Sequence, residues 1–194
     1  MRKRFLLGLV GAGIAAQFAA PAWMIARQEW ILRNGTRVCF EAVAVDPLDV
    51  MRGRYVAIGL AEFERFVECA PDNKTRKYHV TVETNELGVA RLARAELPLP
   101  ERRGLYVTAW AKSWYYNEST RRFENPFNRF YMPEKLAPVA EAMYRESSAR
   151  RNETNSVLLA VRLHNGRGVV EDLLVNGTPM IKAARARLRE QTPR

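Results

Sequence analysis

The chain has 194 residues, with 31 Lys and Arg against 21 Asp and Glu, a formal net charge of +10 and a sequence pI of about 10.1. This length accommodates one membrane anchor and one domain of about 160 residues. The positive charge suits a domain beside an anionic bilayer. Because no nucleic-acid-reading motif is recognisable, no nucleic-acid partner is expected.

The N-terminal segment is predicted to anchor the chain in a membrane. Residues 1–4 are basic, and residues 5–25 carry no charge. About 20 apolar residues span a bilayer as a helix, so residues 5–26 are predicted to be a transmembrane signal-anchor with the basic N-terminus in the cytoplasm. Ala20–Ala22 resembles a small-x-small cleavage site, which leaves a cleaved signal peptide as the alternative. Residues 27–36 are then a juxtamembrane linker.

A β-rich domain is predicted over residues 37–181, and its first strand covers Arg37–Val45. Cys39 lies on this strand and Cys69 follows later. In an exported domain the two can form a disulfide, and the alternative is two buried thiols. Since no Cys-x-x-Cys pattern occurs, neither a zinc site nor a thioredoxin-like site is indicated.

The stretch after the first strand reads as a tight turn that enters a second strand. Asp46 suits a helix N-cap, Pro47 the first helical position and Asp49 the acidic position of a capping box. Gly53 permits the left-handed backbone that ends one helical turn. Tyr55–Leu60 then supplies strand-forming residues.

Asp46 and Asp49 face one side of a helical turn because they are three residues apart. The pair is interpreted as part of a capped turn whose carboxylates meet Arg52 and Arg54. The alternative is a site that binds a cation or a basic partner.

This stretch resembles the GDYXXLXY family of bacterial membrane-anchored proteins. The residues that match its pattern are Asp46, Pro47, Asp49, Arg52, Gly53, Tyr55 and Val56. Arg54, Ile58 and Leu60 depart from it, and Arg54 replaces a carboxylate, which counts against a metal site. The resemblance implies an extracytoplasmic (periplasmic) domain on the cytoplasmic membrane and a polytopic membrane protein as partner. It implies no particular reaction or ligand.

The middle of the domain is predicted to be strands. Residues 62–68 fit either a strand or a helix. Residues 77–83 alternate in polarity and form a hairpin with 89–97. Residues 105–116 are the longest predicted strand, and 123–131 are its return strand.

A helix is predicted over residues 133–149, where apolar residues recur at helical spacing. Tyr131, Pro133 and Glu134 start it, with Pro133 in the first turn, and they resemble a second landmark of the family. Residues 155–163 and 168–175 are predicted to form a closing hairpin.

The predicted fold is therefore mainly β, an antiparallel sheet or barrel-like domain of about seven to nine strands with one helix, plus the N-terminal transmembrane helix. A basic C-terminal tail covers residues 182–194.

The residues indicate no catalytic centre. His79 falls within a strand and His164 in a hairpin turn, and neither has a suitable partner nearby. The turn is similar to the nucleophile region of type I signal peptidases, but no Ser lies between Ala42 and Leu60. No catalytic residue, metal ligand or cofactor is predicted. An aromatic cluster around Trp110 is interpreted as core, or alternatively as an exposed aromatic–basic surface for a lipid headgroup, glycan or protein.

The sequence favours a non-enzymatic accessory or interaction module for a membrane or envelope partner, with the central turn as its contact. The alternative is a membrane-tethered hydrolase-like enzyme that acts on envelope material. A third hypothesis, a lipid- or polyanion-binding module, predicts binding that high salt weakens.

Overall fold

The computed structural model describes residues 2–44, 55–69, 76–86, 88–97, 104–112, 119–149 and 157–191, with the backbone alone for residues 2–12, 44, 55, 148, 149 and 191. The strands in these ranges are β1 Thr36–Ala44, β2 Tyr55–Leu60, β3 Val67–Cys69, β4 Lys77–Thr84, β5 Ala90–Glu96, β6 Tyr106–Trp110, β7 Thr120–Arg121, β8 Arg129–Tyr131, β9 Val157–His164, β10 Arg167–Val175 and β11 Thr178–Pro179. The helices in these ranges are α1 Arg2–Asn34, α2 Ala61–Glu64, α3 Ala137–Ala149 and α4 Met180–Gln191, with a 3-10 helix at Glu134–Leu136.

The strands form two sheets, which confirms the prediction of a mainly β fold. Sheet 1 has the order β11-β10-β9-β1-β2-β8, and sheet 2 has the order β6-β4-β5-β3-β7. Of the ladders between the described strands, β3–β5 alone is parallel. The predicted antiparallel character is therefore confirmed. Of the two predicted arrangements, a sheet or a barrel-like domain, the structure has sheets, and it has two of them.

Alternating burial explains why the main strands form. In β4, Tyr78, Val80 and Val82 point inward and their neighbours outward, as expected for strands with one buried face. The rings of Phe40, Phe63 and Phe127 meet in the core with centroids 5.9–6.3 Å apart.

Helices α3 and α4 contribute to the same core, as Phe63 of α2 does, and the prediction of a single helix in the domain was wrong. Helix α3 contacts β1, β2 and β9, while α4 contacts β10 and α3. Residues 182–194, predicted to be a basic tail, fall largely within α4. Met180 and Ala184 are fully buried and Leu188 packs against the core, so an apolar stripe at helical spacing holds this basic segment on the domain.

Helix α1 continues to Asn34, so the segment 27–36 is mostly helix and not a separate linker. Ile31 is only 4% exposed, and the Trp30 ring meets the His164 ring edge-on at 4.6 Å. These contacts fix the last turns of α1 to sheet 1. Counted over the residues that the structure describes, no helix has both the length and the apolar character needed to cross a membrane.

In the middle of the chain, one alternative that the sequence left open is decided and one strand prediction needs correction. The ambiguous residues 62–68 divide into α2 and β3. The predicted return strand 123–131 is a strand only in its last three residues. Asn125 donates its side-chain amide to the carbonyl of Ile58 and accepts the N–H of Phe127, so a side-chain turn replaces strand pairing here.

Candidate functional site

Of the central turn, the structure describes only the two flanks. Residues 45–54, and with them the predicted contacts Asp46, Pro47, Asp49, Arg52, Gly53 and Arg54, lie outside the described residues. The chain leaves β1 at Ala44 and enters β2 at Tyr55, and the two strands pair antiparallel with Ala44 opposite Ile58. The turn therefore leaves β1 at the opposite end from α1.

The second predicted landmark lies next to the first in space. Strand β8 pairs with β2, and Tyr131 is directly opposite Tyr55. The Tyr131 ring is 64% exposed, and Pro133 and Glu134 are also exposed where the 3-10 helix begins. The structure thus brings two stretches that are about 75 residues apart in sequence to one end of sheet 1.

Tyr144 connects α3 to the strand that leads into the turn. Its hydroxyl donates a hydrogen bond to the carbonyl of Val43, and its ring is 2% exposed. Burial raises the pKa of Tyr144 above its ordinary value, because the charged form is disfavoured away from water. The helical spacing of apolar residues accounts only for the burial of the Tyr144 ring. The hydroxyl group, which an apolar core position does not need, was the feature of the sequence that could have indicated a hydrogen bond.

The two cysteines are free thiols, so the disulfide alternative is not realised. Cys39 lies beside Val89, and Cys69 lies opposite Ala95 on β5. These two neighbours are six residues apart, about 20 Å of extended chain, whereas the Cα atoms of a disulfide lie within about 7 Å. Burial raises the pKa of the Cys69 thiol, against the opposing effect of the Arg121 guanidinium.

The two histidines make ordinary packing contacts. His79 lies with its Nδ1 3.2 Å from Thr108 Oγ1 and its ring edge-on to Tyr106. Burial, and then the charge of Lys77, lower its pKa. Among the described residues, no group of His, Cys, Asp and Glu side chains is arranged to hold a metal ion.

The predicted aromatic cluster divides between core and surface. Phe123, Phe127 and Phe130 are buried, whereas Trp110 is 52% exposed. The exposed Trp110 belongs to a cleft of about 510 Å³ between the last turns of α1, strand β6 and the turn that joins β9 to β10.

This cleft combines tryptophans with basic residues. Trp23 and Arg27 come from α1, Lys77 and Trp110 from neighbouring strands of sheet 2, and Arg167 from the start of β10. The Lys77 ammonium lies 5.9 Å from the centre of the Trp110 ring, within reach of a cation–π interaction. No Asp or Glu is among the described residues that line it.

A tight turn forms one wall of the cleft. Asn165 and Gly166 both have positive φ, 47° and 74°, as the two central residues of a type I′ hairpin do. The Gly166 carbonyl accepts the N–H of Thr108 at 2.8 Å, which joins the turn to β6 and so sheet 1 to sheet 2. The sequence did not predict this cleft, because its residues are far apart in the chain.

These features define a class: a two-sheet, mainly β protein with a long N-terminal helix packed by its last turns onto one sheet. Within that class, the chain belongs to the GDYXXLXY protein family, whose sequence profile matches residues 17–173. The match confirms the family resemblance of the central turn. No curated protein and no solved structure matches the chain.

Proposed function

We propose that this protein is a membrane-anchored, non-enzymatic accessory module whose extracytoplasmic β domain docks on a polytopic membrane protein. One observation carries the anchoring. The side chains of residues 13–30 of α1 are exposed throughout, and they include Phe18 at 73%, Trp23 at 70% and Ile25 at 68%. A large apolar surface without a protein cover marks contact with a membrane or another chain.

The sequence supports a bilayer as that cover. The uncharged segment begins at Phe5, and the side chains of residues 2–12 fall outside the described set. With this part included, the segment has the length that a hydrocarbon core requires. The basic residues before it orient the N-terminus to the cytoplasm and the β domain to the opposite side.

The proposed docking surface is the end of sheet 1 at which β1 ends at Ala44, β2 begins at Tyr55 and β8 ends at Tyr131. The strands on either side of the family pattern end there, beside the exposed Tyr131, and exposed aromatic side chains are favoured in protein interfaces. A polytopic membrane protein is proposed as the occupant because the family resemblance implies such companions.

The test is site-specific photocrosslinking of the full-length protein in its native membrane. A photoreactive residue at Tyr131 is expected to capture one membrane protein. The matched control carries the same residue at Phe66, which is 48% exposed and lies between α2 and β3. Asp46→Ala and Tyr55→Ala should reduce the yield at position 131 without lowering protein abundance.

Identical adducts from positions 131 and 66, or none from 131, would contradict this docking surface. The tethered-hydrolase alternative would then be examined with envelope substrates. Alkaline carbonate extraction tests the anchor separately, since an integral protein stays in the membrane pellet.

A further inference from the structure

The cleft beside α1 has the charge pattern of an anion site. Arg27, Lys77 and Arg167 come from three different elements and converge on one opening. Within the described part of the chain, none of the three forms an ion pair. Elsewhere, basic residues of sheet 1 are paired, as Arg162 is with Glu171 at 2.7 Å. Unpaired like charges repel one another, and a bound anion removes that repulsion.

The position of the cleft on α1 indicates which anion. Trp23 and Arg27, which both line the cleft, are about one helical turn apart, about 6 Å along the axis. The uncharged part of α1 ends at Ala26, between them. Tryptophan prefers the level of the lipid headgroups, so the cleft opens at the depth where a phosphate lies.

We propose that this cleft binds the headgroup of an anionic phospholipid, an inference that rests on the proposed membrane anchoring. Arg27 and Arg167 offer forked donors to the phosphate, and Lys77 adds a third positive charge beside Trp110. The acyl chains lie along the apolar side chains of Trp23 and Met24. A lipid held between α1 and both sheets sets the tilt of the β domain relative to the bilayer.

The experiment uses the full-length protein in an uncharged detergent. Phosphatidylglycerol, or phosphatidylcholine with the same acyl chains, is titrated in, and bound lipid is counted by native mass spectrometry. The cleft variant removes three charges: Arg27→Gln, Lys77→Gln and Arg167→Gln. All three side chains are exposed, so the fold is expected to persist, which thermal unfolding checks.

A matched control removes the same charge from another exposed basic surface, a shallow groove along α4. This α4 variant carries Lys182→Gln, Arg185→Gln and Arg189→Gln. Each basic residue near an anionic lipid surface contributes on the order of a fivefold change in binding. The cleft variant is therefore expected to lose roughly a hundredfold in phosphatidylglycerol affinity, while the α4 variant stays within a few-fold of wild type.

Equal losses in both variants would overturn the proposal, because net charge alone would then explain binding. So would a wild-type protein that does not prefer phosphatidylglycerol over phosphatidylcholine. If inorganic phosphate competes as strongly as the lipid, the cleft holds a free anion and the lipid assignment is wrong. Carbonate extraction separates the two proposals: release from the membrane refutes the anchor, whereas an integral protein without lipid preference refutes this inference alone.

Discussion

Replacing Gly166 by Ala tests the turn that forms one wall of the cleft, and Gly177 provides a control with the same backbone. Their φ angles are +74° and +75°, so Ala meets the same left-handed penalty at both, about 1–2 kcal/mol. The two positions differ only in the space that surrounds the added Cβ atom. A Cβ at Gly166 would lie 2.5 Å from Thr108 Oγ1 and against the Tyr106 ring, whereas nothing lies within 4 Å at Gly177.

Crowding of this kind costs a further 1–3 kcal/mol or so. Gly177→Ala should therefore lower the free energy of unfolding by about 1–2 kcal/mol, and Gly166→Ala by about 2–5 kcal/mol. Equilibrium denaturation of the full-length protein in detergent, followed by tryptophan fluorescence, measures both. Losses that agree to within about 0.5 kcal/mol, the usual effect of a neutral surface change, would refute the crowded turn and with it the described wall of the cleft.

Substitutions at two further positions test buried polar contacts. Tyr144→Phe removes the hydrogen bond to Val43 and should cost about 0.5–1.5 kcal/mol near neutral pH. Because the folded-state pKa of Tyr144 is raised, its contribution is fully present below about pH 10 and is lost as the pH rises through the folded value. Denaturation at pH 8 and at pH 11 should therefore show a smaller gap between wild type and variant at pH 11, and a constant gap would contradict this assignment. Glu62 is 9% exposed and accepts the N–H of Leu92 at 3.1 Å. Glu62→Leu leaves that N–H without its acceptor and should cost about 1–3 kcal/mol, whereas Glu62→Gln keeps an oxygen and should cost less. Equal shifts in thermal unfolding would show that the hydrogen bond is not the cause.

Strands with one buried face were predictable because alternation is a local signal. The sequence located β1, β2, β4, β5 and the β9–β10 hairpin to within a few residues. Local sequence patterns do not predict the structure of a segment in which side-chain hydrogen bonds replace strand pairing. Phe123, Phe127 and Phe130 suggested a strand, yet their burial follows a chain that Asn125 bends into a turn.

Helix α4 was missed for a different reason. Its basic residues dominate the composition, and the buried positions are the small Ala184 and the single Met180. These residues form only a narrow apolar stripe, which is weak evidence for a packed helix in a segment rich in charge. The ion pair between Arg187 and Glu146, at 2.8 Å, joins α4 to α3 and depends on tertiary contact.

The two candidate surfaces also differ in how much of each the sequence could predict. The motif at Tyr55 and the landmark at Tyr131 were found as separate stretches, and their pairing appears only in the register of β2 with β8. The cleft joins Arg27, Lys77 and Arg167, which share no sequence spacing. Only the fold can bring such residues together, so no periodicity or motif indicates them beforehand.

Strand β1 sets the distance between the last turn of α1 and the start of the central turn. Its first residue follows the last turn of α1, and its last residue precedes the central turn. Nine extended residues hold these points about 26 Å apart. A single partner that touches both α1 and the flanks of the turn therefore needs a contact surface at least that long. Under the proposed anchoring, a long extracytoplasmic loop or domain of a polytopic protein would meet this requirement, while a partner confined to the bilayer would engage only the α1 end.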